Sequence, residues 1–219
     1  MITNKRKELQ NLFIIFILFS ILGTYYEEIR WYIIHGVWSK RVGLIYGPFS
    51  PIYGIGAVVF ASILNKNNDK RSILKTFLYS ALIGGLVEYI VSFGAEFFFD
   101  LDFWNYGKKF LNINGRTTIP YMIFWGILGT VYMKIIYPFI IKMIKKIPEK
   151  ITNIIFKVFL IFIIIDYTLT LSAMGRMVLR EKSIEPYTIY GEMLDKLYPD
   201  EFMHERFPVM RKSGTIINK

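Results

Sequence analysis

About five apolar segments, 11–34, 43–64, 74–98, 117–140 and 151–174, dominate the sequence. Each meets the roughly 20 residues a helix needs to cross the hydrocarbon core of a bilayer. A chain with so many has few options. Lipid offers no partner to a backbone N–H or C=O, so only helices and closed barrels can span it. The sequence therefore predicts an all-α fold: a polytopic membrane helix bundle of about five spans over residues 1–175, followed by a polar tail, 176–219. A hydrophobic fraction of 53% and a mean hydropathy of +0.38 lie above the globular norm and agree with this.

Lys and Arg number 27 against 17 Asp and Glu, a net charge of +10. These basic residues flank the apolar runs and form no face interleaved with aromatics, so the lipid bilayer is the expected partner and nucleic acid is not. With no cysteine, disulfides, thiolate catalysis and Cys-based metal sites are excluded, and the two histidines, His35 and His204, are too few for a His-rich centre. No metal and no cofactor is read. Lys5-Arg6-Lys7 before an apolar run has the look of a signal peptide, but no small-x-small cleavage site follows, and the first span is expected to remain uncleaved.

Orientation follows from the basic residues near the span ends. Lys5, Arg6 and Lys7, then Lys66, Lys70, Arg71 and Lys75, then Lys142, Lys145, Lys146 and Lys150 fall on one side of a five-span arrangement. That side is expected to be cytoplasmic, in a multi-pass protein of the plasma membrane with its N-terminus inside and its C-terminus outside. Lys40, Arg41, Lys108, Lys109, Arg116, Arg176, Arg180 and Lys182 fall on the other side and weaken the rule. In the tail, Met193, Leu194 and Leu197 at helical spacing predict one short amphipathic helix ending near Pro199, lying on the membrane surface or against the loops.

Ionisable residues within spans are the informative exceptions, because insertion of a charge at a helix centre costs about 2.5–3.5 kcal/mol. Glu27, Glu88 and Asp166, with Glu96 nearer an end, must be paired, protonated or in contact with water. The first three each lie about 15 residues into an outward-running span, roughly 22 Å from the inner surface, and so share one level in the outer half. Gly84, Glu88, Ser92 and Glu96 recur every four residues, as do Asp166 and Thr170, which gives inward polar stripes. Such acids by default mark ion, proton or substrate paths; interhelical pairing without further function is the plainer alternative.

The second segment opens with RVGLIYGPFSPIYGIGAVV, where Gly47, Pro48, Pro51, Gly54 and Gly56 interrupt the helix start. Broken backbone at this depth is tolerated where it is buried in protein or lines a cavity. A helix starting beyond it presents free N–H groups to an anion, and a Pro-kinked, closely packed helix is the other reading. The stretch from Asp100 to Arg116 gathers Trp104, Tyr106, Asn112, Asn114, Gly115 and Arg116 between two apolar segments. It is expected to cap the acidic level from outside, with Arg116 pairing with Glu88 or Glu96 or binding a phosphate or carboxylate. Trp104 and Tyr106 also suit an interfacial aromatic belt.

VGLIYGPFSPIYGIGAV, LVEYIVSFGAEFFF and FWNYGKKFLNINGR, followed by a span with Trp125-Gly126, resemble the bacterial putative ABC-transporter type IV family, the CmpB-type permeases, over about residues 20–175. The motif positions are Arg41, Gly43, Tyr46, Gly47 and Pro48; Glu88, Tyr89, Ser92 and Glu96; Trp104 and Tyr106; and Asn112, Asn114, Gly115 and Arg116. Val42 is inserted between Arg41 and Gly43, and Asn105 stands where Asp is usual, which removes the charge that a metal or proton role there would need. The resemblance implies a transporter permease subunit of undefined substrate. GxxxxGK[ST] is absent, so ATP-driven transport would need a separate ATPase or other membrane subunit; a homo-oligomer is also open.

Two further functions compete with a permease. A one-sided polar site suits a membrane-embedded enzyme at the outer leaflet, with a buried carboxylate as general base and Arg116 clamping an anion, although no nucleophile motif is present. A non-catalytic ligand-binding or assembly protein is the third.

Overall fold

The computed structural model describes residues 2–68 and 70–212; the last residues of the expected tail, 213–219, lie outside the described residues. The chain forms an all-α membrane helix bundle. Four helices are long and apolar enough to cross a bilayer: α1 (Ile2–His35), α3 (Ile73–Phe99), a helix running from Ile119 to Ile144, and α6 (Glu149–Glu181). Ser72 caps α3 by accepting from the Lys75 N–H, and Thr118 caps the next helix by accepting from the Tyr121 N–H.

The second apolar segment differs from the expected span. It becomes helical only at Pro51, and α2 (Pro51–Leu64) has 14 residues, about 21 Å against a core of roughly 30 Å. Pro48 and Pro51 explain the delay: neither has an N–H, and each disfavours helical geometry in the residue before it. The backbone from Gly43 to Ser50 is irregular, and Gly47 has φ +68°.

The helix from Ile119 to Ile144 is α4 (Ile119–Val131), a π-helical turn (Tyr132–Ile136) and α5 (Tyr137–Ile144). In the widened turn the Tyr137 N–H reaches back to the Tyr132 carbonyl. Pro138 follows immediately, and its ring and missing N–H disrupt the ordinary ladder at Lys134. Lys134 Nζ donates to the Asn68 and Arg71 carbonyls, tying this helix to the α2–α3 turn.

Small residues set the closest helix contacts, as expected where lipid removes any hydrophobic drive between helices. On α3 a Cβ at Gly84 would fall 2.4 Å from Trp125 Cβ; on α4 one at Gly126 would fall 2.6 Å from the Phe77 ring. Ile15, Phe60, Leu64, Trp125, Tyr132 and Met133 form the core between α1, α2 and α4.

α6 extends to Glu181, past the expected end at 174, and carries Arg176 and Arg180 on its last turns. Beyond it the tail folds as two short helices, α7 (Ile189–Leu197) and α8 (Asp200–Arg206), separated at Pro199. Leu194, Tyr198, Met203, Phe207 and Met210 pack with Ile45, Leu101, Ala173, Met174 and Met177 in one apolar cluster. Two-residue strands complete the same end: β1 (Leu101–Asp102) pairs with β4 (Arg211–Lys212), and β2 (Asn112–Ile113) pairs with β3 (Thr117–Thr118).

Candidate functional site

The connection from Asp100 to Thr118 is a built hairpin. Asn114 and Gly115 both have positive φ, 51° and 70°, and the Arg116 N–H closes the turn onto the Ile113 carbonyl at 3.0 Å, the left-handed geometry that Asn-Gly favours. Asn112 stitches the loop: its amide donates to the Gly107 and Lys109 carbonyls and its oxygen accepts from the Gly115 N–H. Asn105 accepts from the Gly107 N–H and donates to Asp102. Trp104 Nε1 donates to the Arg116 carbonyl at 2.9 Å, and Asn114 donates to the Tyr89 hydroxyl at 2.9 Å.

This framework holds two donors over Glu88, which is 5% exposed on α3. The Tyr106 hydroxyl donates to one carboxylate oxygen at 3.0 Å and Thr117 Oγ1 to the other at 2.6 Å, with the Trp125 indole alongside. Burial, with the Glu88 charge adding to it, pushes the Tyr106 hydroxyl well above the ordinary phenol range, so it remains the donor. The Tyr106 ring stacks on Tyr121 of α4 at 4.6 Å.

Glu27 on α1 has partners of its own. Tyr53 of α2 donates its hydroxyl to Glu27, whose second oxygen lies 3.8 Å from Arg30. Glu27 and Glu88 lie within electrostatic reach of each other, as do Tyr53 and Tyr106. One turn along α3, Ser92 is buried on the Glu88 face; a turn further, Glu96 pairs with Arg116, whose guanidinium also lies over Tyr89 and Phe93 at 5.3 and 5.4 Å. Arg116 therefore takes Glu96, and Glu88 is held by neutral hydroxyls.

Asp166 belongs to a different arrangement. It is 1% exposed, and its Oδ1 accepts from the Tyr46 backbone N–H at 3.1 Å and from Thr170, which in turn accepts from the Ile45 N–H at 3.0 Å. Arg206 of α8 donates to the Leu44 and Gly47 carbonyls, and the Ser50 N–H reaches the Ser20 carbonyl. The N–H groups of Gly43, Ile45, Tyr46 and Ser50 are thus occupied from within the protein. Asp166 Oδ2 remains buried without a partner. Gly47 and Pro48 shape this turn, and Tyr46 meets Tyr198 hydroxyl to hydroxyl at 2.9 Å. Nearby, the Arg41 guanidinium stacks on Trp31 at 3.7 Å and its backbone N–H donates to the buried Glu28.

Sequence reasoning thus found the acids but not most of their partners. Tyr53, Thr117, Arg30, Glu28 and Arg206 were not singled out. Thr117 directly follows the Arg116 motif and Tyr53 lies inside the Gly- and Pro-rich opening, so their positions were marked; Arg206 had no local signal. Among the described residues, no group of His, Asp and Glu side chains comes together as metal ligands do.

Two cavities accompany these sites. One, of about 170 Å³, lies between α1, α2 and α4 and is lined almost wholly by apolar and aromatic side chains, Tyr53 and Trp125 among them. The other, of about 710 Å³, lies at the opposite end, where Lys7, Lys66, Lys145, Glu8 and Glu149 line it.

The bundle, its broken second segment and its carboxylates held by tyrosines define a membrane protein with a polar cluster built at span depth. The family model described as Putative ABC-transporter type IV matches residues 14–171, and the chain belongs to this family. That match runs from within α1 to within α6 and ends before the tail helices. No curated protein and no solved structure gives a significant match.

Proposed function

We propose that the chain is the membrane-spanning component of a transporter and that Glu27 and Glu88 together bind a cationic solute or a proton. The observation that carries this is Glu88, buried at span depth and met by the Tyr106 and Thr117 hydroxyls with no guanidinium paired to it, while Glu27 accepts from Tyr53 and has the Arg30 guanidinium 3.8 Å away and that of Arg41 within electrostatic reach. Glu88 is buried and the Glu27 side chain is 31% exposed, and intramembrane carboxylates serve ion and substrate paths. Asp166 supports the broken segment, and Arg116 neutralises Glu96.

The family points to association with other subunits, and with no GxxxxGK[ST] in this chain the energy source is a separate ATPase. The larger cavity at the lysine-rich end is the candidate contact for that partner. The basic residues there favour a cytoplasmic position for that end, with the hairpin and tail helices on the opposite side.

The test is flux in ATP-energised membrane vesicles, using a panel of labelled inorganic and organic cations. Wild type is expected to move at least one of them, and E27Q and E88Q, at equal protein level, to move it at least tenfold more slowly. Equal flux in all three proteins contradicts the proposal.

A further inference from the structure

Four elements converge on the larger cavity where each passes from polar to apolar sequence: the start of α1, the end of α2, the end of α5 and the start of α6. In a bilayer that is the level of the headgroups. Lys7, Lys66 and Lys145 stand on its wall, and about one turn further into each helix the wall is apolar, at Leu12, Ala61 and Ile141. Gln10, also on the wall, is buried and fixed by donating to Asn153 at 2.6 Å. With about 710 Å³, the space falls in the range of small-molecule sites, roughly 300–1,000 Å³.

Its charge is unbalanced. Lys7 pairs with Glu149 at 2.9 Å, which leaves Lys66 and Lys145, neither with a carboxylate partner among the described residues, against Glu8. Arg71 adds a fixed positive charge beside Lys66, its guanidinium donating to the Leu64 and Lys66 carbonyls at 2.6 and 2.8 Å. Asn11, Ser62 and Asn65 add neutral hydrogen-bonding groups to the same wall. Unpaired ammonium groups above an apolar lining suit a phosphate that carries an apolar body, and basic pockets between spans take lipid headgroups in this way.

We infer that this cavity seats the headgroup of an anionic phospholipid, its phosphate held by Lys66 and Lys145 and the start of its chains against Leu12 and Ile141. A cation is disfavoured by the charge balance, a neutral lipid has no use for two unpaired lysines, and a free phosphate has none for the apolar wall. Lys142, Lys146 and Lys150 do not line the cavity and remain for an ATPase docked across its rim. The inference is independent of the cation site at Glu27 and Glu88.

The experiment is native mass spectrometry of the purified full chain titrated with phosphatidylglycerol, phosphatidylcholine and diacylglycerol of the same acyl chains, with calorimetry for inorganic phosphate. Phosphatidylglycerol is expected to bind at least tenfold more tightly than any of the others. The double variant K66Q/K145Q, and Ser62→Trp, which fills the cavity from an exposed position on α2, are each expected to weaken it at least tenfold. The double variant K109Q/K182Q removes the same charge at the hairpin end and is expected to leave binding unchanged; size exclusion and melting temperature verify that each variant is folded. Phosphatidylglycerol bound no more tightly than the other two lipids, binding unchanged in K66Q/K145Q, or binding weakened equally by K109Q/K182Q overturns the inference. If Ser62→Trp folds and binds as wild type does, the lipid lies elsewhere and the cavity assignment falls. Inorganic phosphate bound as tightly as phosphatidylglycerol, and lost in K66Q/K145Q, overturns the lipid source and leaves a phosphate site.

Discussion

Glu88 shows how this chain makes a carboxylate tolerable at membrane depth. It is not ion-paired; two hydroxyls from the hairpin side, Tyr106 and Thr117, satisfy one oxygen each. Removing the acceptor strands both donors in a buried place, so E88A is expected to lower stability by about 1–3 kcal/mol. E88Q, which keeps a carbonyl oxygen there, is expected to cost clearly less, and thermal melting in detergent compares the two. The acids themselves were legible because their insertion cost makes any such residue stand out, and the stripe through Gly84, Glu88 and Ser92 does face the interior. Their partners were not. Asp166 accepts from a backbone N–H 120 residues away, a contact that exists only once α6 and the broken segment have packed. The common level assigned to Glu27, Glu88 and Asp166 is likewise a statement about depth, and depth does not say which helices are neighbours: each of the three acids has its own set of hydrogen-bond partners.

At the scale of elements, the long helices follow from apolar length alone, and the interruptions carry the local detail. The Pro48 and Pro51 positions marked where the second segment breaks, although its length as a helix was shorter than the apolar run suggested. Asn114-Gly115 is a strong two-residue hairpin signal that was legible in principle, whereas the π-helical turn before Pro138 depends on what surrounds it. The tail helices are held by Arg176 and Arg180 of α6, which pair with Asp195 and Asp200. Arg176 above all, then Arg180, hold the Asp195 carboxyl below the usual aspartate range. Folding lowers that pKa, so the stabilisation is complete above the unfolded value, about 3.9, and is lost as pH falls through the folded value beneath it. Spin labels on α7 and the hairpin are expected to keep their separation from neutral pH down to about 4 and to part only below it. D195A is expected to part them at neutral pH, while E205A, which removes an exposed pair with Lys40, leaves them in place.

For the whole molecule, the distribution of free and paired charge bears on orientation. At the hairpin end Lys40, Arg116, Arg176 and Arg180 are matched by Glu205, Glu96, Asp195 and Asp200. At the other end most of the lysines that line or flank the larger cavity have no carboxylate partner among the described residues, Lys7 with Glu149 being an exception. Under the positive-inside rule, the proposed orientation has the cavity end in the cytoplasm. Because the chain has no cysteine, single replacements test it cleanly: Lys109→Cys is expected to react with an impermeant maleimide on intact cells, and Lys146→Cys only after the membrane is opened. The central claim, that Glu27 and Glu88 form one cation site within the bundle, is tested most directly by carbodiimide labelling of the purified protein followed by peptide mass spectrometry. The account predicts modification at Glu27 or Glu88 that falls at least tenfold when the cation moved in the flux assay is present; labelling at these two residues that no cation diminishes would contradict it.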